Sequence, residues 1–376
     1  MMSRPRFFDA HCDTIQKVLE NGADFAAPEG MHVTLPGMLK AGMCAQVFAA
    51  WALAERLDGR EDEVAMQMVE AVGSLCGEHP DRLVLARTWS DIEAACAGSG
   101  KIAAICGLEG ADPLKGDPQA LLPFYHAGVR LLTLAWADNA FSGTAVNPYS
   151  RIGRGSGLGL THRGRELVGV CDELGVVVDV SHASDQAFWD VCAVSTKPFV
   201  ASHSNCRALC PHPRNLTDEM IRAVADRGGV VGVNLFSGFL SPAFLAQEQD
   251  YSERALSAVR AGERTLAEAE GAVSAFLVGI PRPPLSLLVD HVKHIVHVGG
   301  EDCVGLGGDL DGVDSTPAEI DGVGDYPKIV ELLGRAGMTP TQVEKVCHRN
   351  FLRIFRDVLG AEDPLVTRPT GNASAS

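Results

Sequence analysis

The sequence predicts an α/β protein, a closed (β/α)8 TIM barrel with helical insertions. Eight short, nearly continuous apolar runs recur along the 376 residues, and strands buried on both faces read in that way. Segments with helical periodicity separate most of the runs, the order expected of parallel strands joined by crossover helices. Side chains able to bind metal or move protons follow five of the runs, and a barrel brings the C-terminal ends of its strands to one mouth, where active sites lie. An open, doubly wound sheet is the alternative architecture, and the strand-end residues favour the barrel.

In chain order the runs are RFFDA (6–10), CAQVFAA (44–50), IAAICGL (102–108), VRLLTLA (129–135), VVVDVS (176–181), PFVAS (198–202), VVGVNL (230–235) and CVGLGG (303–308). Between them, HRGRELVGVCDELG (162–175) and TDEMIRAVADRGG (217–229) carry apolar residues at helical spacing. Two stretches, 54–100 and 240–298, exceed a simple connector and are mostly helical in pattern; YSERALSAVRAGERTLAEAEGAVSAFL reads as one long helix or a helical pair. Both read as insertions on a single domain over 1–362, because no Pro/Gly/Ser linker separates two cores. A disordered tail is expected over 363–376.

Composition excludes several functions. A net charge of −16 and a pI near 5.2 argue against nucleic acid, because phosphate binding needs clustered Lys and Arg. No apolar stretch approaches the roughly 20 residues of a membrane helix. The N-terminus MMSRPRFFDAHCDT shows no apolar signal region, so a cytoplasmic protein without membrane partners is expected. Eleven cysteines without CxxC pairs fit reduced, buried thiols better than a disulfide framework.

His11 and Asp13 follow the first run, Glu109 the third, His182 the fifth, His203 the sixth and Asp309 the eighth. Residues i and i+2 of a strand share a face, so His11 and Asp13 can reach one ion while Cys12 points away. His182 and His203 complete a second ion, and Glu109 is suited to bridge the two. A His and carboxylate set without clustered cysteines suits zinc, with manganese, iron or cobalt as alternatives. Two such ions can hold a shared water as hydroxide, which makes the site that of a hydrolase. Asp309, in GLGGDLDG, would take the proton of that water and deliver it to a leaving amine.

Each residue also has a plainer reading. His11 and Asp13 could be a surface or capping arrangement, Glu109 a loop carboxylate, His182 and His203 satisfied core histidines, and Asp309 a helix cap. All would have to hold together for the site to be absent. Other signals are poorer: His291, His294 and His297 share a helical face that reads as solvated, and the glycine-rich stretches lack the lysine of a phosphate loop. DLDGVDSTPAE departs from the calcium-loop spacing, and no Gly-x-Ser-x-Gly elbow occurs.

The ordered set DAHCDT, GLEG, VVVDVSHAS, FVASHSNCRALCPHPRNLTDE and VGLGGDLDGV…YPKIVELL resembles the membrane (renal-type) dipeptidase family of the amidohydrolase superfamily, from about residue 7 to 360. The resemblance implies a barrel with two zinc ions, His11 and Asp13 on one, His182 and His203 on the other, Glu109 bridging and Asp309 as general acid/base. It further implies that Arg214, in HPRNLTDE, binds the free carboxylate of a small dipeptide. Family members are often dimers, so a homodimer is expected. Two positions depart from the mammalian pattern: Trp136 in LTLAW stands where a histidine is common, and Phe239 in VNLFSGF lacks the hydroxyl of a substrate-contacting tyrosine. The expected reaction is hydrolysis of dipeptides with a free C-terminal carboxylate, L,D-dipeptides among them, by attack of a metal-bridging hydroxide. The alternative is a metal-dependent amidohydrolase acting on a non-dipeptide amide, a lactone or an N-acyl amino acid.

Overall fold

A computed structural model describes residues 5–27, 30–52, 57–145 and 157–360, and the tail expected over 363–376 lies outside the described residues. Its strands are β1 (Phe7–Cys12), β2 (Met43–Trp51), β3 (Leu83–Leu85), β4 (Ile102–Glu109), β5 (Val129–Thr133), β6 (Val177–Asp179), β7 (Val200–Ala201), β8 (Val230–Val233) and β9 (Val304–Leu306). All eight apolar runs form strands. Parallel pairing runs from β1 to β2, on to β4, and through β5 to β9, which returns to β1. The ring of eight therefore closes.

The additional strand β3 pairs beside the first half of β4, Leu83 opposite Ile102 and Leu85 opposite Ala104, outside the ring. It falls in a stretch whose pattern is otherwise helical, and three residues are too few to display a period. β6 and β7 are shorter than their runs for a local reason. The Asp179 carboxylate accepts the backbone N–H of Ser181 at 2.9 Å and of Ser202 at 2.8 Å, drawing both strand ends out of the ladder and towards the mouth.

Helices His162–Leu174 and Asp218–Asp226 form where periodicity places them, capped by Thr161 and Thr217, whose side chains accept from Gly164 and Met220. On β4, Ala103 and Ile105 share the face of Glu109. With Val47, Leu131, Val177 and Val230 they form an inner core, closed at the end away from the mouth by Phe351, Ile354 and Phe355 of helix Asn350–Leu359. Phe8 seals this floor, its ring 5.2 Å from Phe355 and 5.6 Å from Phe351. Each fully buried aromatic of this kind contributes about 1.5–3 kcal/mol. At the mouth, helices Pro242–Arg260 and Leu266–Gly279 pair and, with Phe236 and Phe239 of the segment after β8, form their own apolar cluster, Phe244, Val273 and Leu277 among its members. No described helix is long and apolar enough to cross a membrane.

Candidate metal centre

Beneath the mouth, Asp9 ties three strands together. Its Oδ1 accepts from the His11 N–H at 2.9 Å and from Gln46 Nε2 at 3.2 Å, and its Oδ2 accepts from the Gly308 N–H at 3.0 Å and from the Tyr326 hydroxyl. The β1–β2 register shifts between Asp9 and Cys12, and this is where the chain turns the His11 ring into the site. Glu109 ends β4, its register setting it beside Trp51 of β2 and Thr133 of β5.

His182 (φ 68°) and Asp309 (φ 56°) adopt the left-handed backbone region, which non-glycine residues rarely occupy and which recurs at functional sites. A glycine makes room beside Asp309. A Cβ on Gly312 would stand 2.1 Å from Asp13 Oδ2 and 2.6 Å from Asp309 Oδ1.

The five candidate ligands and Asp309 converge. His11 Nε2 lies 3.6 Å from Asp13 Oδ2, 3.5 Å from Glu109 Oε2 and 4.0 Å from Asp309 Oδ1. Glu109 turns its other oxygen the opposite way, with Oε1 3.1 Å from His182 Nε2 and 3.7 Å from His203 Nε2. Potential donor atoms of His11, Glu109 and His203 lie within 4.8 Å of one another, as do those of His11, Asp13 and Asp309.

The plainer readings meet specific obstacles here. Asp13 precedes helix Thr14–Asn21 but makes no side-chain cap hydrogen bond. Both ring nitrogens of His11 and Nε2 of His203 are buried without hydrogen-bond partners. Buried polar atoms are nearly always paired, so a core-histidine account leaves three nitrogens unexplained. Three imidazoles and two or three carboxylates, converging with orphaned nitrogens, are the donor chemistry of zinc or a similar divalent ion, and the residues fit such a group.

Electrostatics divide the three histidines: burial would lower the His11 imidazole, but Glu109 and Asp13 hold it well above its usual value. Burial would raise the Glu109 carboxyl, but His11 and His182 outweigh it and hold that carboxyl below the usual range. Burial, joined by Arg214 and neighbouring histidines, pushes His203 well below the usual imidazole value, and burial followed by Arg214 lowers His182 to about 4. Both rings are thus kept neutral, the form that coordinates metal. Burial, with the like charges of Asp13 and Glu109, raises Asp309 to about 8.

A layer of supporting residues was not singled out from the sequence. His203 Nδ1 lies 2.7 Å from Ser202 Oγ, which donates to Asp179 Oδ2 at 2.6 Å; Thr133 Oγ1 donates to the same oxygen at 2.6 Å. This chain fixes the ring and aims Nε2 at Glu109. Asn234 Nδ2 donates to Asp309 Oδ2 at 2.7 Å. The signals were present as Asp179 in VVVDVS and Asn234 in VVGVNL, polar residues inside apolar runs. His291, by contrast, is buried within the fold: Nδ1 accepts from the Cys206 N–H at 3.1 Å and Nε2 lies 3.3 Å from the Leu240 carbonyl. The expected solvated histidine face is therefore partly a packing surface.

Arg214 is buried. Its guanidinium makes only long bonds, 3.4 Å to Ser204 Oγ and 3.4 Å to the His203 carbonyl, and Nε has no partner. Phe239 lies beneath it, 5.4 Å from ring centroid to guanidinium carbon. Trp136 packs edge-on against Trp51 at 4.9 Å and stands 6.0 Å from His182. A cavity of about 310 Å³ opens over Asp13, Glu109, His182 and Asp309, walled by Trp51, Trp136, Phe236 and Phe239. It suits a small ligand.

With this geometry in view, the similarities are specific. The sequence model of the membrane dipeptidase family, peptidase family M19, matches residues 1–367. An uncharacterised protein in the pqqA 5' region of Klebsiella pneumoniae is 33% identical over 296 residues, covering 79% of this chain and 96% of that one. The crystal structure of dipeptidase AC, a metallopeptidase of family M19, superposes with a TM-score of 0.78 at 25% identity, covering 96% of this chain and 100% of that chain. A Rhodobacter sphaeroides metallopeptidase, liganded with a phosphinate mimic of the dipeptide L-Ala-D-Ala, shares the fold with a TM-score of 0.77 at 24% identity, covering 95% of this chain and 100% of that chain.

Proposed function

The chain belongs to the membrane dipeptidase family, peptidase family M19, and is a metal-dependent dipeptidase, and from that premise we propose a binuclear zinc enzyme for dipeptides with a free C-terminal carboxylate. The observation that carries the second ion is the divided Glu109 carboxylate, with Oε2 3.5 Å from His11 and Oε1 3.1 Å from His182. His11 and Asp13 would hold one ion, His182 and His203 the other, and Glu109 would contribute an oxygen to each. When bound, such ions lower the pKa of water and polarise a carbonyl oxygen.

The chain's own residues do the rest. Arg214 takes the substrate's C-terminal carboxylate, to which its under-used guanidinium can offer two parallel hydrogen bonds. That contact sets the scissile carbonyl over Glu109 and Asp309, exchanging the entropy of a bimolecular encounter for a fixed geometry. Trp136 and Phe239 wall the cavity and exclude bulk water; the Trp136 indole N–H can donate to the substrate but cannot titrate. Asp309, oriented by Asn234, accepts the proton of the attacking water. As the peptide C–N bond breaks, it passes that proton to the departing amine. The phosphinate mimic of L-Ala-D-Ala bound by the Rhodobacter protein supports including L,D-dipeptides among the substrates.

Amine release from a panel of L,L- and L,D-dipeptides, each with a free and an amidated C-terminus, tests this reading. Hydrolysis confined to the free acids is expected, and equal hydrolysis of the amides would overturn it. Arg214→Ala should reduce kcat/KM on free-acid dipeptides by about 30-fold or more and erase the discrimination against amides, since loss of a buried charged contact costs about 2–5 kcal/mol. Ser202→Ala should weaken zinc binding by about 10- to 100-fold, as loss of a ligand's supporting hydrogen bond does elsewhere. Competition with a chromogenic chelator reads this effect, and unchanged affinity would remove the Asp179–Ser202–His203 chain from the account.

A further inference from the structure

Helix Pro242–Arg260 carries one residue of the wrong kind on its buried stripe. Phe244, Glu248, Tyr251 and Ala255 follow one another at spacings of four, three and four residues, which places them on one helical face. Phe244 and Ala255 are buried, and Tyr251 packs against the same apolar cluster. A carboxylate at such a position is costly unless something neutralises it.

Glu248 is half-buried, and for one of its oxygens nothing among the described residues does so. Glu248 Oε2 is buried without a hydrogen-bond partner. It sits so close to the Gly238 backbone that a Cβ there would be 2.3 Å away. Burial first, and Asp314 second, push its carboxyl up to about 7. Glu248 nevertheless lines the cavity above the metal centre, together with Asp314, Leu277 and Phe236. The cavity is the side from which a counter-charge can come; no Lys or Arg lines it among the described residues, Arg214 standing over the Phe239 ring outside that lining. Asp314 is itself tied down, its Oδ1 accepting from Ser274 Oγ at 2.6 Å.

Resting on the dipeptidase reading above, we propose that Glu248 anchors a cationic substrate side chain, so that the preferred substrates are dipeptides containing a lysyl-, ornithyl- or arginyl-type residue. The alkyl stem of such a side chain lies along the aromatic walls, Phe236 and the paired indoles of Trp51 and Trp136, while its charged head meets Glu248 and Asp314. This accounts at once for a buried carboxylate oxygen without a partner on an apolar helix face and for a cavity whose charged lining is entirely acidic apart from its histidine.

The test compares lysine with its uncharged isostere. Initial rates are measured for the zinc-loaded full chain on Ala-Lys and Ala-norleucine, and on Lys-Ala and norleucine-Ala. In at least one pair the lysyl substrate should be favoured in kcat/KM by about 10- to 100-fold, the factor a charge-assisted hydrogen bond supplies. In Glu248→Gln that ratio should fall towards one. Norleucyl dipeptides hydrolysed as well as lysyl ones by the wild-type protein would overturn the assignment of Glu248 and leave the dipeptidase reading intact, a result that does not depend on whether the variant folds. A preference that survives in folded Glu248→Gln would overturn it equally. Failure to hydrolyse any of the four, in their L,L and L,D forms alike, would overturn both.

Discussion

Asp309→Asn is expected to lower kcat for dipeptide hydrolysis by about 10²- to 10⁴-fold, the range that positioned proton transfer contributes, with KM and bound metal close to wild type. The substitution is selective for structural reasons. Asp309 holds a left-handed backbone angle of φ 56°, which Asn tolerates better than almost any other residue. An Asn carbonyl can still accept from Asn234, which now donates to Asp309 Oδ2 at 2.7 Å. Shape and hydrogen bond survive, and only the proton acceptor is lost. Metal content measured alongside kcat separates this role from another the geometry allows, because Asp309 also lies within reach of His11 and Asp13. A variant within a few-fold of wild-type kcat would remove Asp309 from the mechanism, and one that loses metal would make it a ligand instead.

For Glu109→Gln we expect bound zinc to fall to about one equivalent or less, and kcat/KM to fall by more than about 10³-fold, since metal Lewis acidity supplies several kcal/mol at 1.36 kcal/mol per tenfold. A Gln amide offers one neutral oxygen where Glu109 offers two charged ones, and its NH2 would face either His11 or the His182 and His203 pair. Elemental analysis of the purified variant beside its rate checks this. Two tightly held ions in an active Gln variant would contradict the bridging role.

Much of this architecture was legible in the chain because the signals are local. A run such as IAAICGL is apolar throughout because β4 is buried on both faces, and the residue that ends it, Glu109, is functional because strand ends form the mouth. His11 and Asp13 were readable from their spacing alone. What could not be read depends on distant partners. Asp9 acquires its role only when β9 brings Gly308 within 3.0 Å of it. Asp179 in VVVDVS looks like a flaw in a strand until Ser202, 23 residues on, donates to it. Glu248 reads as an ordinary helix acid until the neighbouring helix and the turn after β8 bury its face. The left-handed angles of His182 and Asp309 leave only a weak trace in residue type, because histidine and aspartate, though enriched in that region, mostly adopt other backbone conformations.

Two ions acting in one hydrolytic site are tested most directly by a titration. Metal-free protein is supplied with zinc in fractions of an equivalent while hydrolysis of a free-acid dipeptide is followed. Activity should climb until about two equivalents per chain are bound and then level off, as expected of a two-ion site. Full activity at one equivalent, or none at two, would contradict it.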